Sequence, residues 1–204
     1  MIKLSHSLFM ILLVNFNILF AQTDSLKESY PRFGVSLGYG NQVMKIFGGG
    51  IDLNVKYLYE VYLFEVDYIT SLFEGETWNV ESQLNIIYGY SNFKSNINNR
   101  EKIKSSEVGI NSGFLIKKNI WDDNLKIYFA SSLGLIYTEA LPERQISGIM
   151  FCGNYSVGVQ IKLNRNHFID LRTGFRHLSN AGLRRPNGGI NNWIVNFGSV
   201  FVIN

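Results

Sequence analysis

His177 and Ser179 stand two residues apart in the stretch HLSNAGLRRPNGG, residues 177–189, and beyond the first twenty-one residues the chain has one other histidine, His167. A serine hydroxyl is a poor nucleophile unless a neighbouring base takes its proton, and imidazole suits that task. On an extended strand residues i and i+2 emerge on the same face, so this spacing puts hydroxyl and imidazole side by side wherever a strand runs through both. From spacing alone H-x-S is a weak signal. A strand ending near Phe175 would leave His177, Ser179 and Asn180 as solvated loop residues, so the chemistry depends on the elements that carry the pair.

Residues 1–21 read as a secretory signal and are set aside first. Lys3 precedes a largely apolar run from Ser5 to Phe20, and Ala21-Gln22 supplies a small residue at a cleavage site. Asn15 and Asn17 interrupt the run, which argues against an uncleaved spanning helix. Residues 22–204 are expected to form one domain. Cys152 is the single cysteine, which excludes an internal disulfide and suits a small packed hydrophobe. The net charge of +3 is too mild to indicate nucleic acid, and export argues against it.

Mean hydropathy is +0.03, yet no second apolar run has helical spanning length. The hydrophobicity is spread with period two. From Phe151 to Leu163 the odd positions read Phe, Gly, Tyr, Val, Val, Ile, Leu, and the even ones Cys, Asn, Ser, Gly, Gln, Lys. Leu84, Ile86, Tyr88 and Tyr90 oppose Gln83, Asn85, Gly89 and Ser91 in the same way, and Tyr62, Phe64, Val66 and Tyr68 oppose Glu65 and Asp67. A soluble sandwich also alternates, but its wet face is rich in charge. Here the polar face is dominated by Gly, Ser, Asn and Gln, which suits a narrow barrel interior, and Tyr68, Trp78, Tyr137 and Trp193 lie where interfacial girdles would form.

Eight such segments occur, at about 32–40, 59–70, 78–91, 107–117, 125–137, 151–163, 168–179 and 192–203. Their connections alternate long and short, as outer loops and periplasmic turns do. The expected fold is therefore all-β, an eight-stranded antiparallel transmembrane barrel of the outer membrane of a Gram-negative bacterium. HLSNAGLRRPNGG then falls at the outer rim. In the seventh segment Ile169, Leu171, Thr173 and Phe175 share a parity with His177 and Ser179, which turns the pair toward lipid. Asn191 takes the same face of the eighth segment. Unpartnered, each of these polar groups costs on the order of a few kcal/mol in hydrocarbon, so they should bond one another or lie at the interface.

The run His177-Leu178-Ser179-Asn180-Ala181-Gly182-Leu183, with Pro186-Asn187 and Gly189-Ile190 after it, resembles the active-site signature of the lipid A 3-O-deacylase (PagL) family. The resemblance implies an eight-stranded outer-membrane barrel that hydrolyses an ester-linked acyl chain of lipid A in lipopolysaccharide, with no cofactor and no metal. It implies Ser179 as nucleophile and His177 as general base. Asn180, or backbone N–H groups near Ala181 and Gly182, would form the oxyanion hole. The family carries a glutamate one residue past its Gly-Ile pair, where this chain has Asn191. An amide can accept from the imidazole N–H and orient the ring but cannot supply charge. Glu139 and Glu143 in the preceding outer loop are alternative acids. Arg184 and Arg185, and less so Arg144 and Arg176, are candidate partners for lipid A phosphates. Whether two copies pair as a homodimer stays open.

Other motifs carry no chemistry. Gly34-Val35-Ser36-Leu37-Gly38 spells a nucleophile elbow but lies within an alternating strand, whereas the elbow needs a strand-turn-helix. Gly48-Gly49-Gly50 lacks the lysine and helix of a phosphate loop. His167 belongs to a tight turn on the opposite rim and is expected to be exposed. A noncatalytic structural or adhesive barrel remains the competing class, favoured by Asn191. A soluble lipocalin-like binder is a distant third.

Overall fold

The computed structural model describes residues 30–43, 58–94, 102–121 and 124–203, so residues 1–21 and Gly48-Gly49-Gly50 lie outside the described residues. Eight strands run in chain order: β1 (Arg32–Gln42), β2 (Leu58–Glu74), β3 (Trp78–Lys94), β4 (Ile103–Trp121), β5 (Leu125–Thr138), β6 (Gly148–Asn164), β7 (His167–Ser179) and β8 (Ile190–Val202). Each pairs antiparallel with the next, and β1 pairs with β8 to close the barrel. Every expected segment is a strand, several of them longer than the alternation indicated: β4 begins at Ile103, β6 at Gly148 and β8 at Ile190. The connections after β2, β4 and β6 are short, and those after β1, β3, β5 and β7 are longer.

Closure satisfies the backbone ladder without a free edge, the condition for crossing hydrocarbon with strands. No described helix is long and apolar enough to cross a membrane. The outer wall is apolar and open: Leu37, Phe64, Ile86, Val108, Val157 and Phe197 are all exposed. A continuous belt of this kind is foreign to a soluble monomer. Tyr62, Tyr137 and Trp193 ring the outer end, and Tyr68, Trp78 and Trp121 the periplasmic end, all exposed.

The lumen is packed with more charge than the small polar face led one to expect. Toward the periplasmic end Glu81 pairs with Arg32 and Lys117, each at 2.6 Å. At mid-height Arg172 meets Glu65 and Asp67, with Ser36 Oγ 3.1 Å from its Nη2. Higher up, Arg176 Nη2 lies 2.6 Å from Glu107 Oε1, and the Tyr59 hydroxyl donates to the other carboxylate oxygen at 3.1 Å. Apolar clusters close both ends. Val61, Leu63, Met150, Leu178 and Ile190 belong to the outer one, and Ile69, Leu115, Phe168 and Val200 to the periplasmic one. Ser36 thus faces the lumen, as its strand context required. His167 departs from expectation: it opens β7, half-buried, its ring stacked on Phe201 with centroids 4.5 Å apart.

Candidate active site

β7 stays extended to its last residue, and its burial alternates except at Phe175, which has the outward parity yet is buried. Asp170, Arg172, Gly174, Arg176 and Leu178 are buried toward the lumen, and Leu171, Thr173, His177 and Ser179 take the outer face. The strand does not end near Phe175. Leu178, between the two polar residues, is fully buried in the outer apolar cluster opposite Ile190. Burying a leucine contributes on the order of 2 kcal/mol, enough to hold the flanking backbone extended. His177 and Ser179 therefore share the lipid-facing wall at the outer rim.

Register completes the site from the neighbouring strands. His177 lies opposite Asn191 on β8 and Gly153 on β6, and Ser179 opposite Phe151. His177 Nδ1 and Asn191 Oδ1 are 2.6 Å apart, the Nδ1–H donating to the amide oxygen. The two polar groups satisfy each other on an apolar wall, and the contact favours the tautomer in which Nε2 keeps its lone pair. Among the described residues no hydrogen bond joins Ser179 Oγ to the imidazole. On the other side Gly153 has no side chain of its own, and Leu133 Cδ2 lies 3.3 Å from where its Cβ would be.

The loop after Ser179 is organised by Asn180, itself buried. Its N–H donates to Asn187 Oδ1 at 3.1 Å, its Nδ2 to the Arg184 carbonyl at 2.8 Å, and its Oδ1 accepts the Gly182 N–H at 3.0 Å. Two groups expected at an oxyanion hole, the Asn180 amide and the Gly182 N–H, are thus bonded to each other. Ala181 between them has φ +52°, in the left-handed region that a non-glycine residue seldom adopts.

The remaining candidates separate. Arg184 and Arg185 are exposed on this loop, and the Arg184 Nη2 reaches back to 3.1 Å from where a Cβ on Gly148 would lie, at the start of β6. Arg144 Nη2 donates to the Gly188 carbonyl and so holds the loop. Arg176 corrects the expectation of a rim phosphate partner. It points into the lumen, fully buried, and pairs with Glu107, because its parity is opposite to that of His177. Glu139 accepts from the Ser106 N–H at 3.2 Å, and the Nδ1 position belongs to Asn191 rather than to Glu139 or Glu143. Among the described residues no group of three or more His, Cys, Asp or Glu is placed to hold a metal ion.

Two further residues touch this arrangement, Gly189 of the signature and Gln145, which the sequence did not single out. Gly189, at φ +65°, lies so close to the imidazole that a Cβ there would sit 2.8 Å from His177 Cε1. Gln145, from the loop after β5, accepts the Gly189 N–H at 2.9 Å. Gly188-Gly189 was visible as a turn signal; the contact across loops was not, since it joins positions 44 residues apart.

Comparison with known proteins places this geometry. The model of the lipid A 3-O-deacylase (PagL) family matches residues 57–199. No curated protein sequence matches the chain. Among solved structures, that of the outer membrane enzyme PagL is similar with a TM-score of 0.58 at 17% identity, covering 83% of this chain and 99% of that one. Neisserial surface protein A follows at 0.52 and 9% identity, covering 85% and 97%. OprG from Pseudomonas aeruginosa stands at 0.50 and 8%, covering 86% and 97%. At such identities the structures speak for the fold. With the family model spanning strands β2 to β8, the chain belongs to the lipid A 3-O-deacylase (PagL) family and is a β-barrel of the Gram-negative outer membrane.

Proposed function

We propose that the protein is a serine esterase that removes an ester-linked acyl chain from lipid A in the outer leaflet, with Ser179 as nucleophile, His177 as general base and Asn191 orienting the base. The observation that carries this is the 2.6 Å contact between His177 Nδ1 and Asn191 Oδ1 on the lipid-facing wall, beside an outward Ser179. Ser179 Oγ attacks the acyl carbonyl as its proton passes to His177 Nε2. The tetrahedral oxyanion collapses, the imidazolium returns the proton to the departing sugar oxygen, and an acyl-serine remains. Water then repeats the sequence and releases the fatty acid.

The acyl carbonyl approaches from the Gly153 side of the ring, over a wall that the Leu133 side chain shares. The Ala181 N–H, beside the mutually bonded Asn180 and Gly182, is the donor we assign to the oxyanion. Arg184 and Arg185 meet the lipid A phosphates bidentately. Residues 1–21 direct export.

Mass spectrometry of lipid A from cells expressing the wild type or Ser179→Ala tests the assignment. Loss of one hydroxyacyl group in the first and not the second is expected. An Arg184→Ala/Arg185→Ala double variant should raise KM in a salt-sensitive manner. Unchanged lipid A in all strains would favour a noncatalytic barrel, the reading to which the asparagine at the acid position points.

A further inference from the structure

We propose that Gln145, in the loop between β5 and β6, is a positioning residue for His177 that acts through the backbone of Gly189; the inference rests on the deacylase reading above. The imidazole is held on two edges. Asn191 takes Nδ1 at 2.6 Å, and the Cα of Gly189 fills the space against Cε1, where even a methyl would come to 2.8 Å. The second contact, on the carbon edge, therefore sets how far the ring can swing about the Asn191 bond. That contact is only as firm as the placement of Gly189, which sits at φ +65° between two loops.

Gln145 supplies the firmness. Its side chain is 2% exposed, and its Oε1 accepts the Gly189 N–H at 2.9 Å. The amide cannot be reversed without loss, because its Nε2 donates to the Ile146 carbonyl at 3.3 Å and lies 3.6 Å from Met150 Sδ. The two loops are joined independently by backbone bonds: Gly188 N–H to the Arg144 carbonyl at 2.7 Å, and Ile146 N–H to the Pro186 carbonyl at 3.0 Å. Gln145 bridges Asn187 in the same ladder. The side chain of Gln145 can thus be changed while the ladder keeps the loops together, which separates positioning from folding. Gln145 bonds to neither Ser179 nor His177, so its influence on the base runs through Gly189.

The test compares Gln145→Met, which keeps length and loses the acceptor, with Gln145→Glu, which keeps an acceptor oxygen. Purified lipid A in detergent is the substrate, and heat-modifiable migration checks folding. Gln145→Met should lower kcat roughly tenfold to a hundredfold, as a slightly misplaced catalytic group does, with KM within about twofold. Gln145→Glu should recover most of the rate. Gly189→Ala, which leaves Gln145 in place, should reproduce the loss. The NMR signals of the His177 ring give a readout that needs no turnover: one sharp set in wild type and Gln145→Glu, broadened or doubled in Gln145→Met. Wild-type kcat together with an unaltered ring spectrum in a folded Gln145→Met would overturn the proposal. A wild type inert toward lipid A but showing the same ring changes would sink the deacylase reading and leave the positioning role standing.

Discussion

Asn191 is the residue on which the chemistry of this family member turns. It stands across the β7–β8 ladder from His177, and its amide oxygen takes the Nδ1 proton at 2.6 Å. In the proposed mechanism that bond leaves Nε2 to receive the serine proton, and a neutral amide would do nothing for the imidazolium that follows. Asn191→Ala removes the orientation and should lower kcat by about tenfold or more. Asn191→Glu adds charge as well as an acceptor, and the expected outcome is a higher kcat. The rates are measured with purified lipid A in detergent. A Glu variant with no gain beside an Ala variant with no loss would remove Asn191 from the mechanism. Gly189 and Gln145 belong to the same scale; Gly189 stands in the signature, but its contact with the ring and the part of Gln145 were not legible in the sequence, because both are defined by contacts between distant segments.

At the scale of the strand, β7 shows how far a period-two pattern reaches. Parity alone placed His177 and Ser179 outward, and the structure keeps them there. What spacing could not decide was whether the strand lasted to Ser179. The deciding residue is Leu178, whose burial depends on Met150 and Ile190, contributed by β6 and β8. The interior was legible as polar but not as paired. Glu107 and Arg176 meet across 69 residues of chain, and Arg172 reaches Glu65 across 107. Such partners have no local signature, which is why Arg176 was misread as a rim cation. Removing one member of the buried pair leaves the other charge stranded. Glu107→Ala should destabilise the barrel by about 3–5 kcal/mol, seen as a lower urea midpoint for loss of the heat-modifiable form. Glu107→Leu combined with Arg176→Met should recover most of that.

For the whole molecule, the stacked ion pairs and the apolar clusters at both ends leave little free lumen. Among the described residues the cavity beside Arg172 and Arg176 measures about 50 Å³, room for a few waters. Reconstituted in a planar bilayer, the protein should show no steady conductance; open-channel currents would contradict this picture. The outward position of Ser179 at the rim gives the proposed mechanism a kinetic corollary. Substrate would reach it by sliding within the plane of the leaflet, without leaving the membrane, so encounter would be two-dimensional. Turnover would then follow the mole fraction of lipid A among its neighbours and not its amount per litre: diluting the substrate with inert detergent at constant bulk concentration would slow the enzyme, while diluting the whole suspension with buffer would not.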